Sequence, residues 1–459
     1  MLEWTPFTFR TDAGDSTRAE RAALRVPEVH DRPGGAALEL TVVRLPARAK
    51  HPSAPIVYLA GGPGGVATLA ARGPRFAVLD ALREVGDVVL VDQRGTRGAA
   101  PDLTCPRGLD APLDRPGTRE ALLSAWMEWS RACARHWQGR GVDLAAYHTD
   151  ASADDLEVLR AALGAERVNL LAISYGTQLA QAFMRRHPRS VARAVLAGPE
   201  PLGGILKPVE LTRAHLARLD SAVRADTAAS RRVPDLVALV DSVVRRLESR
   251  PARVPVTDPL TRRPATLAIG PFDVQFATAF ALGDRRLMLQ LPLLFRDMAE
   301  GDFSRVAPLV LRLRRYNTTA MTPVVDCATA WEAADRERLG REAAAFVLAD
   351  AASFPFPDVC AAWPHLELGS AFRAPVRSDV PVLFVAGTMD GRTPPSNVDV
   401  IAPGFSRHAR LVVEGGAHDD DLFLASPRIA AAMADHLRGG PLRSEAVRLD
   451  PWRFAVPRR

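Results

Sequence analysis

The chain has 459 residues, enough for one large domain with an insertion or for two ordinary domains. Its 47% hydrophobic content is that of a globular protein, and no apolar run approaches the ~18–20 residues a membrane span needs. The formal charge of +6 does not argue for nucleic acid, because lysine occurs only at Lys50 and Lys207 and the arginines are scattered among Asp and Glu instead of massed in a stripe.

The opening Met-Leu-Glu-Trp-Thr-Pro lacks a basic-then-apolar signal segment. The expectation is a cytoplasmic protein, with a periplasmic or secreted one as the alternative if a signal has been removed. Residues 1–36 are polar and mixed. Ala37 to Leu45 alternates and is rich in Val and Leu, which predicts a strand. Ile56 to Ala60 is a short apolar strand, followed at once by Gly61-Gly62-Pro63-Gly64-Gly65. That cluster has neither the lysine of a phosphate loop nor dinucleotide-binding spacing. It reads as backbone that must approach a substrate closely, or as a plain tight turn.

A helix is expected near Pro74 to Val85, then a strand at Val88 to Val91 that ends in Asp92-Gln93-Arg94-Gly95. These polar residues can brace the glycine loop, or form a solvated turn. Helices follow at Arg119 to Trp137 and Ala151 to Leu163, the second opened by Thr149-Asp150. Val168 to Ile173 is a buried strand and Thr177 to Arg186 an amphipathic helix. Between them Ala172-Ile173-Ser174-Tyr175-Gly176 has the small-x-Ser-x-small pattern of a nucleophile elbow, where a sharp turn lifts a serine Oγ above the sheet. A serine capping a surface helix is the plainer alternative.

Ala194 to Ala197 is a further strand, ending at Gly198-Pro199-Glu200. From there to about Val376 the strand–helix alternation stops and helical patterns dominate, interrupted by a proline-rich stretch from Arg250 to Pro271. Alternation returns with strands at Val382 to Ala386 and Arg410 to Val413, and a last helix at Ile429 to Leu437. The expectation is an α/β protein with a mostly parallel sheet: a core from 1–200 and 377–459, and an inserted helical cap at 201–376.

Ser174, Asp390 and His418 each fall just past the C-terminal end of a predicted parallel strand, where open α/β sheets place their sites. The order Ser, Asp, His is that of α/β-hydrolases. A serine hydroxyl is a poor nucleophile at neutral pH, so His418 must take its proton and Asp390 must orient the imidazole. The backbone N–H groups of Tyr175 and Gly62 are the expected oxyanion donors. Glu200 is the rival acid, and His408 the rival histidine, although it precedes its strand. Asp419, Asp420 and Asp421 read as a solvated or substrate-facing acidic turn. The four cysteines include no CxxC pair, so no zinc site is expected, and no metal or organic cofactor is implied. They form two separated pairs, Cys105 with Cys133 and Cys327 with Cys360, which read either as disulfides of an exported protein or as four buried thiols.

With these motifs in hand, the chain resembles the prolyl and tripeptidyl aminopeptidase family of serine hydrolases over nearly its whole length. The resemblance lies in Ala60-Gly61-Gly62-Pro63-Gly64, in Asp92-Gln93-Arg94-Gly95, in Ser174-Tyr175-Gly176-Thr177, and in Gly387 to Pro394, which is similar to a tripeptidyl-type G-x-x-D-x-x-T-P segment. Ala60 and Ala172 depart from it, standing where the family more often has a polar residue and a glycine. The resemblance implies an α/β-hydrolase fold, an acyl-serine intermediate, and release of residues or short peptides from a free N-terminus. It also implies an anion under the cap for the substrate ammonium, for which Glu200 is the candidate, and bridging within each cysteine pair. The alternatives are an esterase or amidase on small non-peptide acyl compounds and a non-catalytic binding protein. The expected partner is a small molecule or short peptide, with neither nucleic acid nor membrane; composition is silent on oligomeric state.

Overall fold

The computed structural model describes residues 1–32, 34–204, 206–316, 319–329, 331–364, 367–418 and 420–456. Its strands, in chain order, are β1 Thr5–Arg10, β2 Ser16–Pro27, β3 Ala37–Leu45, β4 Ile56–Leu59, β5 Val88–Val91, β6 Ala99–Ala100, β7 Val168–Ile173, β8 Val191–Ala197, β9 Ala252–Thr257, β10 Pro264–Ile269, β11 Val382–Gly387, β12 His408–Glu414 and β13 Glu445–Arg448. The helices that matter below are α1 Arg119–Gln138, α2 Thr149–Ala162, α3 Tyr175–Arg186, α4 Val209–Ala225, α5 Leu236–Ser249, α6 Pro271–Ala281, α7 Arg285–Glu300, α8 Met321–Ala328 and α9 Pro427–Arg438.

One large sheet runs β1-β2-β3-β5-β4-β7-β8-β11-β12-β13, with β6 paired to β3. From β5 to β13 every pairing is parallel, while β1, β2 and β3 form an antiparallel edge. The central strands β4, β5, β7 and β11 are buried at every residue, as parallel strands covered on both faces must be. Their side chains alternate between two cores. Val57, Leu59, Leu170 and Ala172 enter one face's cluster; Ile56, Tyr58, Leu171 and Ile173 enter the other's.

Between β8 and β11 the chain leaves this sheet. It forms α4 to α8 with further short helices, and a separate two-stranded sheet of β10 on β9. This segment has a core of its own, including Leu216, Val240, Leu294 and Phe295, which also takes in Met389 and Ala417 from the loops after β11 and β12. The proline-rich stretch therefore holds a hairpin, its β9 alternating half-buried and exposed residues.

Besides the β9–β10 hairpin and the two-residue β6, three strands at the margins of the large sheet go beyond the sequence reading. β1 and β2 lie in the polar opening segment and form the sheet's edge, where one face meets water and alternation is masked by Arg and Glu. β13 is a four-residue edge strand with one buried side chain. The second helix also starts earlier than expected: His148, not Thr149, is the N-cap of α2, its ring accepting from the Ala151 N–H at 3.2 Å. Both cysteine pairs are disulfides, Cys105–Cys133 and Cys327–Cys360, each with Cα atoms 5.3 Å apart.

Candidate active site

Ser174 joins β7 to α3 with φ 55° and ψ −128°, a conformation L-residues rarely adopt. It occupies the N-cap position but its side chain makes no capping hydrogen bond, so the hydroxyl is not spent on the helix. The turn is possible because its neighbours are small. A Cβ on Gly176 would lie 2.3 Å from the Leu59 carbonyl oxygen, and one on Gly61 would lie 3.0 Å from the Ser174 Cβ. Ala172, where a glycine was the commoner choice, is buried in register with Leu59 and Leu196.

The loop after β4 runs alongside. Gly62 has φ +125° and precedes a cis bond to Pro63; Gly65 N–H closes the turn on the Gly61 carbonyl at 3.0 Å. The polar cluster after β5 braces this loop. Asp92 accepts from the Thr68 N–H at 3.0 Å and the Thr68 hydroxyl at 2.6 Å, and Gln93 donates to the Ala60 carbonyl at 3.3 Å. Arg94 turns the other way and is fully buried, pairing with Asp155 and donating to the Glu28 and Ala146 carbonyls.

Asp390 follows β11 and is fully buried. Its Oδ1 accepts from the backbone N–H groups of Arg392 and Thr393, both at 2.8 Å. Its Oδ2 lies 2.8 Å from His418 Nδ1 and accepts from the Thr393 hydroxyl at 2.7 Å. Burial pushes this carboxyl up, but the histidine and the Thr393 donors outweigh that and hold it below the usual carboxylate range. His418, in the turn after β12, is 8% exposed. His408 lies at the start of β12 and bonds the Phe405 carbonyl, away from this pair.

The acidic turn divides. Asp419 lies outside the described residues. Asp420 is half-exposed and 3.4 Å from Arg75. Asp421 is structural: it accepts from the Ala417 N–H at 2.9 Å and pairs with Arg285 at 3.0 Å.

Ser174, His418, Gly62 and Tyr175 line one cavity of about 560 Å³. Tyr175 opens α3, so its N–H has no partner within the helix. The inserted segment supplies the far wall, including Tyr316, Phe354 and Phe356. Glu200 lines the same cavity, but the Lys207 ammonium sits on its carboxylate. Glu200, the candidate anion for a substrate ammonium, thus already carries a cation of the chain's own. A second acid went unnoticed in the sequence. Asp326, in α8, lines the cavity at 5% exposure, and its Oδ1 has no hydrogen-bond partner. Burial first, and the charge of Glu200 second, raise its carboxyl well above the usual range. Asp326 precedes Cys327, whose bridge to Cys360 ties α8 to the chain beyond it, and no motif in the sequence marks it.

Residues 54–422 match the alpha/beta hydrolase fold family. The chain belongs to that family. It is a hydrolase of this fold, resembling its peptidase members. It is 30% identical over 211 residues to the serine protease Hip1 of Mycobacterium tuberculosis, a match covering 43% of this chain and 39% of that protein's length. It is 25% identical over 446 residues to the tripeptidyl aminopeptidase of Streptomyces lividans, covering 86% of this chain and 77% of that one. The crystal structure of proline iminopeptidase from Mycobacterium smegmatis superposes with a TM-score of 0.42 at 19% identity, covering 90% of this chain and 97% of that one. Among the described residues no helix is long and apolar enough to cross a membrane, and no cluster of three or more His, Cys, Asp or Glu could hold a metal.

Proposed function

We propose that the chain is a serine hydrolase that works through an acyl-serine and releases residues or short peptides from a free N-terminus. The observation that carries the chemistry is the 2.8 Å contact between His418 Nδ1 and Asp390 Oδ2 beside a serine in a strained elbow. With Nδ1–H on Asp390, Nε2 is the basic nitrogen. It takes the Ser174 proton as Oγ attacks the substrate carbonyl, and the N–H groups of Gly62 and Tyr175 receive the oxyanion. The proton then passes to the leaving amine as the C–N bond breaks. Water, activated by the same nitrogen, releases the acyl group and restores Ser174.

The peptidase reading draws on the relatives' names and on two carboxyls in the cavity wall, Glu200 and Asp326. The segment at 201–376 serves as the cap, contributing Asp326 and the aromatic wall. A second reading, an esterase or amidase on small acyl compounds, is favoured by Lys207, which neutralises Glu200 from within the chain. Two disulfides fit an oxidising compartment better than the cytoplasm. The test is a substrate panel: aminoacyl, prolyl and tripeptidyl amides, each with free and acetylated amines, beside simple esters. A peptidase of this kind turns over the free-amine amides fastest. Equal rates on free and blocked amines, with faster ester turnover, would reject it in favour of the esterase.

A further inference from the structure

Thr393 lies three residues beyond Asp390 and one before Pro394. The loop is already held by the two backbone N–H groups on Asp390 Oδ1. The hydroxyl does something else. It is 1% exposed, 2.7 Å from Asp390 Oδ2 and 3.2 Å from His418 Nδ1, so it sits between the two members of the pair.

A hydroxyl has one hydrogen to give. An ionised carboxylate is the stronger acceptor, and the shorter contact is to Asp390, so the hydrogen goes to Oδ2. The oxygen's lone pairs then face His418 Nδ1. Both neighbours of Nδ1 are therefore acceptors, and only the tautomer with hydrogen on Nδ1 satisfies them. That tautomer leaves Nε2 free to take a proton. The support is tightly fitted: at the end of β8, a Cβ on Gly198 would lie 2.7 Å from Thr393 Oγ1 and 3.0 Å from His418 Cε1.

We propose that Thr393 is a positioning residue that fixes the His418 tautomer and tempers the basicity of Asp390 through a shared carboxylate oxygen. This rests on the reading of Asp390 and His418 as the acid and base. Other charged groups surround the pair but occupy other sides. From α4, His215 packs on Gly391 and its neighbour Arg218 is set beside Asp390. Arg75 and Arg392 line the cavity that His418 faces, as do Glu200, Lys207 and Asp326. Asp420 and Asp421 are engaged by Arg75 and Arg285. Among the described residues, Thr393 supplies the one side-chain hydroxyl in contact with both.

The consequences are directional. Removing the hydroxyl leaves Oδ2 with one donor fewer. The carboxylate then holds the His418 proton more strongly, and the acidic limb of the reaction moves to higher pH. The imidazole also loses one of the two acceptors at its Nδ1 edge, so its orientation toward Ser174 loosens and the rate above that limb falls.

The experiment measures the second-order rate of labelling by a fluorophosphonate from pH 5 to 9 for the full chain and for T393V, T393S and D390N. Expected is a fall of about 10- to 100-fold in T393V, the scale of a lost hydrogen bond to a charged group, with the acidic limb shifted upward. T393S should return to within about threefold of the parent on both counts. Should T393V not fold, T393A against T393S makes the same comparison. Parent-like rate and pH profile in T393V or T393A, with D390N slow, would overturn the inference and leave the acid–base reading standing. A parent-like D390N would remove that reading itself.

Discussion

The ammonium of Lys207 rests on the carboxylate of Glu200 inside the cavity that Ser174 and His418 line. In a chain with 59 basic residues, of which lysine supplies only two, one of those two is here. It leaves Asp326 as the acid whose carboxyl has an unpartnered oxygen. If the substrate is a free-amine peptide, its ammonium favours the anion of the otherwise raised Asp326 carboxyl, and Asp326→Asn should lower kcat/KM on an aminoacyl amide by roughly 10-fold, since charge-assisted contacts are worth roughly 1.5–3 kcal/mol. It should leave the acetylated compound nearly unchanged, and Glu200→Gln should have the smaller effect. A paired kinetic comparison on free and acetylated amides reads this directly. Equal losses on both compounds would remove Asp326 as an amine contact.

The elbow leaves no room beside Gly176. Gly176→Ala puts a methyl 2.3 Å from a backbone oxygen of the central strand β4. Overpacking a rigid core costs about 1–3 kcal/mol, more where backbone must move. The variant should unfold at lower urea concentration and lose fluorophosphonate labelling together. Stability equal to the parent's would mean that the turn is looser than described.

The disulfides close loops of 28 and 33 residues, and each should contribute about 3–4 kcal/mol by the loop-entropy relation. Their functional weight should differ. Cys327–Cys360 adjoins Asp326 in the cavity wall, whereas Cys105–Cys133 ties α1 to the loop before it. Replacing Cys327 and Cys360 with serine should lower the melting temperature and raise KM for a free-amine substrate; replacing Cys105 and Cys133 should lower the melting temperature with KM unchanged.

Stability should fall on acidification through three buried histidines. Burial holds His148, His215 and His436 down at about 4. The unfolded chain binds these protons near 6.5, so it takes up more protons than the fold between ~6.5 and 4. Their contribution is full above that window and is lost as pH falls through it, at up to ~1.4 kcal/mol per pH unit for each group. Urea midpoints measured from pH 7.5 to 4 should show the slope. His436→Gln, which removes a ring bonded to the Ala194 carbonyl at 3.0 Å, should flatten it.

The parallel core was legible because burial on both faces leaves near-continuous apolar runs. β5 and β7 carry the boundaries read from the sequence, and Ser174 and Asp390 follow β7 and β11, visible for the same reason; the half-buried β3 shows instead as alternation. What stayed hidden lies where local pattern carries no such signal. β1 and β2 show Arg and Glu to solvent, and β9 alternates around prolines. Asp326 and Lys207 come to the cavity through tertiary packing of the inserted segment, with no motif around them. The polar cluster at Asp92 and Gln93 was readable as a brace, but Arg94 was not: its partners Asp155, Glu28 and Ala146 are distant in sequence.

The central claim is that Ser174 is the nucleophile, and mass-spectrometric mapping of fluorophosphonate adducts tests it most directly. The account predicts a single modified peptide containing Ser174 in the parent, and no adduct in Ser174→Ala, with turnover reduced by several orders of magnitude. An adduct on any other serine, or labelling and turnover that persist in Ser174→Ala, would contradict it.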